Sequence, residues 1–302
     1  MPTTRIRFDG PLDVSGTLAP LRRGYGDPTM RLAGQRCWRA ARTPDGSATL
    51  ALEVVGGTVI AETWGPGAER ALEGVRDLVG LHDDRSEFRA LHPLIGELDR
   101  RFPGIRIGRS RAVFEALVPG ILEQKVTGEE ARRTFRGLVR AFGEPAPGPA
   151  AFNLRLPPSP ERLAALPYYA YHAFGLERRR ADVIRRAAGR AAWLEGTVEL
   201  PLPEAYARLT SLSGVGPWTT AEVAVRALGD TDAVSVGDYH LPNLVGSALV
   251  GGGSWDDARM LELLEPYRPQ RARVIRLLEA AGTALWGQRR APRMALRRIE
   301  SI

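Results

Sequence analysis

A chain of 302 residues is long enough for two domains with separate cores, and its net charge of +7 and pI of about 10.1 point to a polyanionic partner, most simply nucleic acid. Its single cysteine, Cys37, excludes an intrachain disulfide framework, a cysteine-rich zinc site and a four-cysteine iron–sulfur cluster. No apolar run reaches transmembrane length and MPTTRIRFDG lacks a signal-peptide core, so the protein is expected to be soluble and cytoplasmic.

In the first part of the chain, RIRF (5–8), RCWRAA (36–41), ATLALEV (48–54) and TVIAETW (58–64) are strand-like. Pro44-Asp45-Gly46 and Gly56-Gly57 supply turns between them. The apolar residues of 67–81 then recur at helical spacing, so residues 1–87 predict a small antiparallel sheet with one or two helices on it. From residue 88 the texture becomes helical. Residues 88–102 end at Pro103-Gly104, and 111–142 carry two helices around a break near Lys125–Thr127. GEPAPGPAAFNLRLPPSP (143–160) is a loop. Helical segments follow at 161–166, 177–196 and 203–212, and after a Gly251–Gly253 turn a last helix spans 268–286, leaving a basic tail GQRRAPRMALRRIESI.

The chemistry concentrates in LSGVGPWTTAEVAVRALGDTDAVSVGDYHLP (212–242). Two helices meet at a glycine turn, where Gly214 and Gly216 are expected to relieve clashes and Pro217 suits the first helical position. Free backbone N–H groups at such a turn receive phosphate, gripping a nucleic-acid backbone without reading sequence. An ordinary helix–turn–helix connection explains the glycines equally well. Asp238 follows the second helix and a short apolar run, where it caps the next helix, acts on a sugar held by the turn, or does both.

LSGVGPWTTA with Asp238-Tyr239-His240 about twenty residues on resembles the helix-hairpin-helix (HhH-GPD) DNA glycosylase superfamily, and Trp218 paired with Asp238-Tyr239 resembles its AlkA-type 3-methyladenine DNA glycosylases. FEALVPGILEQKVTGEEA, FGLERRRADVI and EPYRPQRA are similar to further segments of that family, so the likeness spans most of the chain. It implies a mainly α fold. A small α+β domain over 1–87 precedes a two-lobed helical region over 88–302, with the hairpin in a lobe at 113–230 and a second lobe from 88–112 plus 231–302. The resemblance makes Asp238 the catalytic carboxylate and Trp218, Tyr239 and Tyr267 the walls of a base pocket. Gly214, Val215, Gly216, Thr219, Gln124 and Lys125 become DNA contacts. A monovalent cation on the carbonyls of Thr210, Leu212 and Val215 is a family habit; otherwise neither cofactor nor metal is implied. The implied partner is damaged double-stranded DNA, bound by a monomer in the cytoplasm and at the nucleoid, with no membrane. Two departures stand out: Ser213 replaces the usual proline, and Lys125, the only lysine, replaces the apolar or amide wedge.

Cleaving an N-glycosidic bond requires the nucleotide to leave the stack, and a carboxylate then stabilises the positive charge growing on the sugar. Lyases of the family place lysine where this chain has Trp218 or Ala207, so a monofunctional enzyme leaving an abasic site is expected. A purine methylated at N3 or N7 is already cationic and leaves readily, and an aromatic pocket would select it at roughly 0.5–2 kcal/mol per ring. Tyr168, Tyr169, Tyr171, His172 and Phe174 read mainly as packing. Arg178–Arg180 read as a solvated face, Arg268 as an ion-pair partner and His240 as a residue behind the site. Glu222, one turn after Trp218, faces either the pocket mouth or solvent. Two other functions stay open: the same fold acting on oxidised or deaminated bases, which needs a polar pocket, and a non-catalytic DNA-binding protein, against which Asp238 argues.

Overall fold

The structure is a computed structural model that describes residues 1–282; the end of the last expected helix and the basic tail lie outside the described residues. Strands β1 (Thr3–Arg7), β2 (Met30–Ala33), β3 (Arg36–Thr43), β4 (Gly46–Val55) and β5 (Thr58–Trp64) form one antiparallel sheet in the order β1-β5-β4-β3-β2. Gly56 and Gly57 both have positive φ, the conformation of a two-residue turn whose twist matches its strands, and they set the β4–β5 register at Val55↔Thr58. Strand β2 is an addition to the sequence reading, because four edge residues carry too little alternation to be seen. Under the sheet, Leu50, Leu52, Val59 and Ala61 pack against Val14 and Leu18 of the short helix Val14–Leu18 and against Val75 and Leu78. The loop 143–160 covers part of the sheet elsewhere: Leu154 and Leu156 pack on Ala40, and Phe152 stands edge-on to Trp64 at 5.3 Å.

In the helical region the helix Val113–Leu122 is buried at every residue except Glu115 and is surrounded by the helices Gly128–Phe142, Arg178–Ala188 and Pro217–Val223. Two separate ties fix its ends. Glu195 accepts from Val113 N–H (2.8 Å) and Phe114 N–H (2.9 Å), and Arg180 donates to the Leu122 carbonyl at 2.7 Å. Arg180 is therefore buried structure, unlike its exposed neighbours Arg178 and Arg179. The break falls where expected: Lys125 takes φ +55, and Thr127 and Glu130 form a reciprocal capping box that starts the next helix.

Other helices are shorter than their apolar periodicity. Residues 67–81 split at Gly74 into Ala68–Glu73 and Val75–Leu78, and 177–196 split near Gly189 into Arg178–Ala188 and Ala191–Glu195. The expected 88–102 helix runs only from Pro93 to Arg101, because Pro93 sits at its first turn behind a His92 cap. There Ile95 and Leu98 join a core with Leu244, Leu264, Val274 and Leu278 from the helices Leu241–Leu249, Asp257–Leu264 and Arg271–Ala281.

Candidate active site

The hairpin joins the helices Leu202–Thr210 and Pro217–Val223. Leu212 and Val215 plug the turn into the core, and Val215 N–H donates to the Leu212 carbonyl at 2.9 Å. Gly214 has φ +95, and a Cβ there would come within 2.3 Å of Val183 Cγ2, so only glycine fits. The expectation for Gly216 is corrected. Its φ is −103 and a Cβ would meet nothing within 4 Å, so no internal clash demands glycine. Ser213, Gly214, Gly216 and Pro217 are exposed, and the second helix starts without a side-chain cap.

Two other expected contacts prove to be braces. Val215 has its side chain in the core and its N–H committed, and Thr219 is buried with its hydroxyl accepting from Gln124 Nε2 at 2.9 Å. The same Gln124 amide donates to the Gly214 carbonyl at 3.0 Å, locking the loop that carries Lys125 to the hairpin. Lys125 itself is exposed beside that lock.

Beyond Val223 the helix widens into a π-helical turn over Ala224–Leu228, a rare geometry that is frequent at functional sites. The chain then returns through Ala233–Val236 to Asp238. Asp238 Oδ1 accepts from His240 N–H (2.7 Å) and Leu241 N–H (2.8 Å), capping the helix Leu241–Leu249. Its Oδ2 accepts from Trp218 Nε1 at 2.9 Å, which ties the carboxylate to the first turn of the hairpin helix. Capping and presentation are therefore combined in one side chain.

Asp238 lines a cavity of about 370 Å³, a volume within the range of small-molecule sites. Its lining among the described residues mixes apolar side chains with a dense set of charges, Arg22, Arg23, Arg132, Arg226 and Arg276 with Glu123, Glu222, Glu279 and Asp238. Glu222 faces this cavity, accepting from the Ser235 hydroxyl at 2.5 Å and pairing with Arg226. Burial alone would raise its pKa, but the Arg226 guanidinium, the Ser235 hydroxyl and Arg23 outweigh it and hold the carboxyl below the ordinary range.

One of the three expected pocket aromatics is corrected. Tyr267 is 7% exposed in the core of the C-terminal helices, because the turn Glu265–Tyr267 directs it inward. Tyr239 is exposed and stands edge-on to the His240 ring, and Trp218 is committed to Asp238. None of the three lines the cavity. Tyr171 is buried with its hydroxyl on the Leu163 carbonyl, and Arg268 pairs with Glu265 and Asp232. Leu212, one of the three carbonyls suggested for a cation, already accepts the turn bond from Val215. Sequence reasoning missed Arg23, Glu123 and Arg226. The only early signal was Glu222, one turn from Trp218.

A helical hairpin that delivers a fixed aspartate to a cavity between helical lobes, behind an N-terminal sheet, defines the helix-hairpin-helix DNA glycosylase fold. No family profile matches the chain. It is 28% identical over 176 residues to DNA-3-methyladenine glycosylase 2 of Escherichia coli (strain K12), a match covering 56% of this chain and 60% of that relative, so the chain spans about three-fifths of its length. Among solved structures, a 3-methyladenine DNA-glycosylase from Archaeoglobus fulgidus superposes with a TM-score of 0.79 at 20% identity, over 94% of this chain and 99% of the other. An 8-oxoguanine glycosylase/lyase from Clostridium acetobutylicum gives 0.69 at 14% identity, over 92% and 96%. The chain therefore has the fold of these glycosylases and is similar in sequence to DNA-3-methyladenine glycosylase 2 over part of its length.

Proposed function

We propose that this protein is a monofunctional DNA glycosylase that flips damaged purines out of duplex DNA, alkylated purines foremost, and hydrolyses the N-glycosidic bond. The observation that carries this reading is the fixed Asp238 carboxylate beside the cavity. Its Oδ1 accepts from two backbone N–H groups, whereas among the described residues Oδ2 accepts only from Trp218. Oδ2 therefore keeps a lone pair for the attacking water, and its charge faces the sugar carbon as positive charge develops there. The backbone N–H groups of Gly216 and Trp218, on either side of Pro217, receive a phosphate, and Lys125, held by Gln124, fills the gap left by the flipped nucleotide. A monovalent cation on the Thr210, Leu212 and Val215 carbonyls would strengthen that phosphate contact. With Lys125 the only lysine and Trp218 at the hairpin position, the hairpin offers no lysine amine to attack the sugar.

The test is incubation with alkylated duplex DNA, with and without borohydride. Expected are free bases and intact strands bearing abasic sites, with no covalent protein–DNA product. A borohydride-trapped adduct would contradict the monofunctional assignment. One observation favours a second reading: a cavity rich in arginine and glutamate, with no Phe, Tyr or Trp among the described residues that line it, suits a base recognised by hydrogen bonds, such as an oxidised or deaminated purine.

A further inference from the structure

One wall of the Asp238 cavity comes from the N-terminal domain, through the segment Ala19–Gly24. Three features fix its course. Asp27 accepts from Arg23 N–H at 2.6 Å and from Thr29 N–H at 2.8 Å. Arg226 Nε donates to the Pro20 carbonyl at 3.1 Å, across the cavity wall. Gly24, at φ +81, lies so close to the helix Gly128–Phe142 that a Cβ would come within 2.7 Å of Arg132 Cδ.

The result is a buried Arg23 whose Nη1 stands 3.3 Å from Glu123 Oε1, a pair that lines the cavity with Asp238. Among the described residues the tips of these two side chains bond only to each other. Among the described residues Arg23 Nε and Nη2 and Glu123 Oε2 make no hydrogen bond, which leaves two donor groups and an acceptor on side chains that line the cavity. Burial lowers the Arg23 pKa despite Glu123, with Arg226 acting in the same direction, so a ligand that brings an acceptor to this guanidinium is favoured.

We propose that Arg23 and Glu123 read the Watson–Crick edge of the flipped base and that the preferred substrates are guanine-type lesions, with Arg23 donating to the C6 carbonyl and Glu123 accepting from N1–H and the 2-amino group. The inference rests on the glycosylase reading and narrows it. An adenine-type base presents a 6-amino donor to the guanidinium and no N1–H to the carboxylate, so both partners are mismatched. Among methylated purines, 7-methylguanine is therefore excised in preference to 3-methyladenine, although both are cationic. The N-terminal domain thereby becomes part of the specificity site.

Duplex DNA methylated in bulk holds both bases, so one chromatogram of released products gives their relative rates. The wild type is expected to release 7-methylguanine faster per lesion. Arg23→Gln and Glu123→Gln are each expected to lower the ratio of 7-methylguanine to 3-methyladenine release about tenfold or more. Circular dichroism melts check folding, and Glu123→Gln, which preserves shape, decides alone if Arg23→Gln does not melt cooperatively. An unchanged ratio in a folded variant overturns this inference and leaves the glycosylase reading intact. If the wild type releases no base, the glycosylase reading fails, and this inference falls with it.

Discussion

Asp238 joins a structural role as helix cap to the chemical role proposed for it. The two backbone N–H groups on Oδ1 hold it as a helix cap, and the Trp218 indole on Oδ2 settles the remaining rotation. A bond to a charged acceptor contributes about 1.5–3 kcal/mol, and here its loss acts mainly on direction. Trp218→Phe is therefore expected to slow single-turnover base release about tenfold while leaving DNA affinity within about twofold. A parallel loss of affinity would mean that the indole contacts DNA instead. The aspartate was legible because a carboxylate close behind a glycine hairpin is an unusual pattern. Tyr267 was misread because a match to a family segment says nothing about which way a side chain points, and the fold turns it into the core.

At the scale of elements, the hairpin separates two uses of glycine. Gly214→Ala is expected to destabilise the protein by about 1–3 kcal/mol in urea unfolding, since the new methyl group meets Val183 and the backbone is left-handed. Gly216→Ala should leave unfolding unchanged within about 0.5 kcal/mol, because the added carbon enters open space. It should still weaken DNA binding, because that space is where the phosphate backbone would approach. The reverse pattern would contradict this division. The turn chemistry, the break at Lys125–Thr127 and most strands were legible because Gly, Pro and alternation act locally. The π-helical turn was not: Ala224–Leu228 reads as ordinary helix, and its widening depends on what packs around it. Helix lengths were also overestimated, since periodicity continues through Gly74 and Gly189 where the backbone does not.

Across the whole molecule, arginines join the N-terminal domain to the helical lobes. Arg273 pairs with Asp83 in a site where the two side chains are 3% and 0% exposed, and Asp83 also accepts from Ile107 N–H at 2.9 Å. Removing one member of such a pair strands a buried charge. Asp83→Ala is expected to cost about 3–5 kcal/mol in chemical denaturation; a cost below about 1 kcal/mol would show that the junction does not depend on it. Nothing in the sequence joined Arg23 to Glu123, which lie 100 residues apart, so the polar character of the cavity emerged only from the fold.

The central claim is that Asp238 is the catalytic carboxylate. Its most direct test compares wild type and Asp238→Asn in single-turnover release of methylated bases from duplex DNA, with DNA affinity measured in parallel. The expected result is rapid release by the wild type, a loss of at least about a hundredfold in the variant, and comparable affinity for both. Release by Asp238→Asn at the wild-type rate would show that Asp238 only caps its helix and that the chemistry lies elsewhere.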